Sequence, residues 1–163
     1  MASGDTLLAF FPSDNEPPTT NYATFDTRNS HPTLDFDTTT QETAIFTGIV
    51  PRNYAAGGIT CYLHWAASTA TSGTIGWDVS FERIGAAQQD IDADGFASAQ
   101  TVTAATVDGT SGNVTITNVA VTNGANMDSI AVGELFRLRI RRDVANDTAA
   151  GDAELVGVEL KET

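Results

Sequence analysis

Hydrophobic and polar residues alternate most regularly across residues 57–84. Ile59, Cys61, Leu63 and Trp65 fall on one face of a first run, and Ile75, Trp77, Val79 and Phe81 on one face of a second. A period of two kept up over about eight residues marks a strand with one face in a core. A loop of small residues, 66–74, separates the runs. The pair is expected to form the hairpin at the centre of the fold.

Weaker versions of this pattern recur along the chain. Strands are expected at 22–28 and 33–37, around the turn-rich RNSHP, and at 44–50, which Pro51 stops. Further strands are expected at 98–105, 114–122, 134–144 and 153–160, where Val156, Val158 and Leu160 share a face. The string DGTSGN at 108–113 is a turn signal. Within 114–122 the apolar phase slips between Ile116 and Val119, which predicts a bulge or bend at Asn118. Residues 126–132 form the one helical turn, closed by Gly133. The total is about nine or ten strands, one short helix, regular turns and no internal repeat. That pattern belongs to an all-β jelly roll or β-sandwich.

The first residues stand apart. Leu7, Leu8, Phe10 and Phe11 form a short apolar run that ends at Pro12, followed by the polar SDNEPPTT, whose Pro17 and Pro18 favour extended backbone. Residues 1–21 therefore read as an extended N-terminal arm and linker, and 22–163 as the sandwich domain. Two readings of the apolar run stay open: a first strand of the body, or an arm packed on a neighbouring subunit.

Composition narrows the function. A chain of 163 residues is one domain's worth and can bury about 70% of its extended surface. No apolar run approaches the ~20 residues of a membrane span. The apolar patch at 7–11 has no basic region before it and is too short for a signal peptide, so synthesis in a cytoplasm without export by that route is expected. One cysteine allows neither an internal disulfide nor a multi-cysteine metal site. A net charge of −13 argues against nucleic acid as a primary partner.

The single basic feature lies at 136–142, FRLRIRR, which holds four of the seven arginines. Phe136, Leu138 and Ile140 should point inward and Arg137, Arg139 and Arg141 outward. Either acidic neighbours pair with this exposed strand face, or it docks an acidic partner surface through the carboxylate-matching guanidinium fork.

Candidate chemistry is sparse. His64 lies on the polar face of its strand, and neither a nucleophile nor a nucleophile-elbow motif accompanies it, so a hydrolase triad is not expected. Cys61 shares the apolar face and reads as a small buried hydrophobe. Asp90, Asp92 and Asp94, followed by Gly95, resemble the opening of a calcium loop. Position twelve is Thr101 where an EF-hand needs glutamate, which leaves a looser Ca²⁺ site or a solvated acidic loop. Asp78 and Glu82 are roughly 13 Å apart along one strand, too far for paired-carboxylate hydrolysis. Trp65, Trp77 and Tyr62 could together form a sugar-stacking platform. Trp65 and Trp77, however, fall on the apolar face with Leu63 and Val79, which favours core packing and leaves Tyr62 on the opposite face as the remaining candidate for stacking a ligand. The expectation is a protein that is not an enzyme and has no required cofactor.

The turn RNSHPTLDF, the strand exit FTGIVPRNY, the segment WDVSFERI and the late MDSIAVGELFRLRIRRD together resemble small acidic jelly-roll virion proteins of tailed bacteriophages, over about residues 22–160. The resemblance implies a structural role: a capsid decoration (cement) protein, a homotrimer seated on the major capsid protein at the virion surface. It maps no individual binding residues. A phage tail or fibre domain and a carbohydrate-binding, lectin-like module are the alternatives that share this architecture.

Overall fold

The computed structural model of the chain describes residues 4–87 and 90–163. Among them are the strands β1 (Thr6–Phe10), β2 (Thr24–Arg28), β3 (His31–Phe36), β4 (Thr43–Ile49) and β5 (Ile59–Ala67). The later strands are β6 (Thr74–Ile84), β7 (Gln100–Thr106), β8 (Thr115–Val121), β9 (Leu135–Arg142) and β10 (Ala153–Glu162). One sheet runs β2-β3-β10-β5-β8, and β1 also pairs with β10; the other runs β4-β9-β6-β7. The named strand pairings are antiparallel. From β3 onward the chain crosses between sheets at every connection except β6 to β7. This gives two four-stranded layers, β3-β10-β5-β8 over β4-β9-β6-β7, and the fold is a jelly roll.

That winding corrects the expected central hairpin. β5 and β6 do not pair with each other. β5 pairs with β10 and β8, and β6 with β9 and β7, so the small-residue loop is a crossover between sheets. Two strands with one apolar face each can bury those faces against each other only from opposite layers. The rings of Trp65 and Trp77 accordingly meet across the core, centroids 5.9 Å apart, and Phe36 packs edge-on against Trp77 at 5.3 Å.

Four other features differ from the sequence pattern. Leu7–Phe10 of the apolar run lie in β1, antiparallel on β10. Of the two open readings the structure takes the strand of the body, and this part of residues 1–21 leaves the expected arm. Phe10 enters the core and stacks on Phe46 at 5.4 Å. Gly48 makes room for it: a Cβ there would stand 3.0 Å from the Phe10 ring and 2.8 Å from that of Phe136. In β10 the register shifts between Leu155 and Gly157, turning Val156 to the outer face while Leu155, Val158 and Leu160 stay inside.

Across from it, β8 pairs with β5 without interruption, so Asn118 marks no bulge; Ile116 simply faces outward. The expected helix at 126–132 shrinks to one 3-10 turn, Ala125–Met127. Gly124 at φ 99°, Asp128 at φ 53° and Ser129 at φ 55° stop it at both ends, because the left-handed region cannot continue a right-handed helix.

The linker RNSHP is the tight turn of the β2–β3 hairpin. Asn29 (φ 47°) and Ser30 (φ 65°) both take the left-handed conformation that two-residue hairpin turns demand.

Candidate binding surfaces

β9 is an inner strand of the sheet that carries the arginine face. Alternation sends Phe136, Leu138 and Ile140 into the core and Arg137, Arg139 and Arg141 outward, as expected. On β6 the opposing residues are Glu82, Ser80 and Asp78 in turn. Arg137 donates to Glu82 Oε2 at 2.8 Å and Arg141 to Asp78 Oδ2 at 3.2 Å. These two arginines are paired with acidic neighbours of their own chain. Arg139, between them, meets a hydroxyl instead, donating to Ser80 Oγ at 3.1 Å, and no ion pair forms to it among the described residues. Phe96 lies over it, with the guanidinium carbon 4.4 Å from the ring centroid and that of Arg137 at 5.3 Å. Burial, with the charge of Arg141 added, pushes the Arg139 pKa down.

Arg142 shares the inward phase of Phe136, Leu138 and Ile140, and it is wholly buried. Its Nε donates to the Asp147 carboxylate in an ion pair. Nη1 donates to the carbonyls of Phe36 (3.1 Å) and Gly151 (2.8 Å), and Nη2 to Ala149 O (3.1 Å) and Thr38 Oγ1 (3.3 Å). One guanidinium thus ties the end of β3 to the later half of the loop between β9 and β10. Beside it, the Asp37 carboxylate accepts from the Thr39 hydroxyl and the backbone N–H groups of Thr39 and Thr40. Those hydrogen bonds, helped by the charge of Arg142, bring the Asp37 pKa down to about 2.

The outer face of the other sheet is different in kind. Phe11, His64 and Val156 border a shallow cavity of about 180 Å³. His64 pairs with Ile116 on β8, and Val156 also borders a wider groove of about 560 Å³ with Val114, Arg28 and Glu154. Phe11 and Ile116 are each 57% exposed, and Val114 is similarly open. Round the edge, Tyr22 and Phe25 add two more exposed rings beside Pro12 and Pro17. The Arg28–Glu154 pair (2.6 Å) spans the wider groove.

The residues expected at a partner interface are therefore divided. Phe10 is core, Leu7 and Leu8 are partly buried against that core, and Phe11 alone of the four is open. A core ring cannot also serve a neighbour. Tyr62 carries Lys161 over its ring, Nζ 5.7 Å from the centroid. Cys61 is fully buried, and burial pushes its thiol pKa up. Asp90, Asp92 and Asp94 do not gather around a common point: no group of three His, Cys, Asp or Glu residues suited to a metal occurs among the described residues. Asp90 instead accepts from the Asp92 N–H through its carboxylate and from Ala93 and Asp94 through its carbonyl, a local turn.

Sequence reading missed Arg142, Phe96 and the Val156–Ile116 strip. Arg142 was detectable, since it continues the 136, 138, 140 phase. Phe96 carried no signal in its polar loop. No family model matches the chain, and no curated protein sequence is significantly similar to it.

Proposed function

We propose that this chain is a non-enzymatic structural virion protein, a decoration protein that binds the outside of a phage capsid as a homotrimer and stabilises the shell. The observation that carries the reading is a group of exposed apolar side chains on one side of the molecule: Phe11, Ile116 and Val114 around the half-buried Val156, with Tyr22 and Phe25 at the edge. Single exposed apolar residues are ordinary, but several on one side, here interrupted by His64, favour a surface that is covered in use. The strand β2 beside Tyr22 and Phe25 is also an unpaired sheet edge, which assembly with further copies would cover. The net charge of −13 keeps such a protein soluble before it assembles.

The test is light scattering for oligomeric state together with co-sedimentation on empty phage capsids. A trimer that pellets with capsids is expected, and the double variant Phe11→Ser, Ile116→Ser should lower occupancy while the far-ultraviolet spectrum is unchanged. Deleting the N-terminal residues is a poor substitute, because it removes Phe10 from the core. A wild-type monomer that stays in the supernatant, or one that binds glycans instead, overturns the proposal.

A further inference from the structure

The arginine face of β9 forms one wall of a shallow groove of about 410 Å³, which Phe96, Asn21, Gln41 and their neighbours also line. Among the described residues no acidic one lines it, in a chain with 21 acidic residues against 8 basic ones. Three guanidinium groups reach it, and among the described residues two carboxylates, Glu82 and Asp78, pair with them. One positive charge is left over at the centre, on Arg139. The Nε groups of Arg139 and Arg141 are buried with no hydrogen-bond acceptor among the described residues. Buried donors of this kind are costly, and the charged ones most of all.

We propose that this groove is a binding site for an acidic peptide segment of a partner protein, with one Asp or Glu carboxylate seated on Arg139. The guanidinium fork presents planar, parallel donors that a carboxylate accepts in pairs. Pairing with Ser80 alone leaves that capacity unused, and the partly desolvated position makes an incoming anion worth more than it is on an open surface. The neutral walls suit a peptide rather than a free ion. The Asn21 and Gln41 amides and the Thr20 and Thr43 side chains offer donors and acceptors for a backbone, and the Phe96 ring packs beside it. The strongly negative remainder of the chain disfavours a long polyanion and leaves a short acidic segment as the fitting occupant. The proposal goes beyond capsid decoration and stands without it, since it names a ligand chemistry and not a particle.

The full chain, labelled with ¹⁵N, is titrated with acetyl-Gly-Asp-Glu-Gly-amide, with the isosteric acetyl-Gly-Asn-Gln-Gly-amide, and with succinate. The acidic peptide is expected to shift the amides of Thr43, Ile45, Phe96 and Arg139 saturably, with a Kd below about 1 mM. The neutral peptide should leave them in place. Arg139→Gln should weaken binding by about tenfold or more, and Arg52→Gln, outside the groove, should not. Unaltered thermal unfolding of Arg139→Gln shows that the loss is not one of folding. No saturable shift, or equal affinity in wild type and Arg139→Gln, overturns the site. Succinate binding as tightly as the peptide overturns its assignment to a peptide segment.

Discussion

Arg139 and Arg142 are carried by the same strand, β9, and their surroundings are opposites. Arg142 points inward and satisfies its guanidinium five times over, with one carboxylate, three carbonyls and a hydroxyl. Arg139 points outward to a single hydroxyl and the face of a phenyl ring. The difference follows from a period of two: an odd offset along a strand changes the face, and the face decides whether a cation is structure or surface. A buried charge must be fully paired to be tolerated, so the inward arginine has acquired a complete set of partners. The outward one, only half-buried, tolerates an incomplete set of partners at some cost and keeps capacity for something else.

The largest effect is expected at Arg142. Arg142→Ala strands the Asp147 carboxylate, itself nearly buried, and removes donors from the Phe36, Ala149 and Gly151 carbonyls. The expected loss is about 3–5 kcal/mol of unfolding free energy in a urea titration. Arg142→Lys should recover only part of it, because one ammonium cannot reproduce a planar fork that reaches several loops. A cost below about 1 kcal/mol for the alanine variant means that the five contacts do not organise this end of the roll.

A smaller effect is expected at the paired part of the outer face. Glu82 is buried under Arg137, whose own side chain is one-third exposed. Glu82→Gln keeps the shape and removes the charge, and should cost about 1 kcal/mol by the same titration. The variant also leaves a second guanidinium uncompensated in the groove. It should therefore tighten the acidic peptide while weakening the fold, a divergence that Arg142 variants cannot produce.

The inside of this molecule was legible in the sequence and the outside was not, for a physical reason. Alternation reports which residues leave water, so the pattern alone puts Trp65, Trp77, Leu138 and Ile140 on the core face, where all four are buried. It does not report which strand lies across the layer. β5 and β6 thus read as a hairpin, although the jelly-roll winding sends them to opposite sheets. Bulges are equally silent: the register shift at Gly157 moves Val156 from the expected inner face to the outer one. Phe10 and Phe11 read as one apolar block by residue type, yet as neighbours in an extended run they take opposite faces, Phe10 in the core and Phe11 open. The arginine face was visible as a pattern, but the serine opposite Arg139 gains its meaning only from the strand register.

Acid offers a gentler probe of the buried end. The Asp37 pKa lies at about 2 in the fold against 3.8 unperturbed, so the folded state prefers the ionised form. Its contribution is present above about pH 4 and is lost as pH falls towards 2. Asp37→Asn should flatten the pH dependence of stability in that window and leave the curve unchanged above about pH 5. An unaltered acid slope in the variant separates this turn from the Arg142 network.

The smallest stability effect should come from Arg139, and its smallness is what gives the comparison its edge. Arg139→Gln removes a half-buried cation whose nearest charged neighbour along the strand is another arginine, so lost packing on Phe96 is offset by relief of repulsion and desolvation. Thermal and urea unfolding should shift by no more than about 0.5 kcal/mol. A loss approaching that of Arg142→Ala would make Arg139 a second structural latch, already using its full capacity within the chain. A near-zero change combined with lost peptide binding assigns the two arginines of one strand to two different tasks, holding the roll closed and meeting what lies outside it.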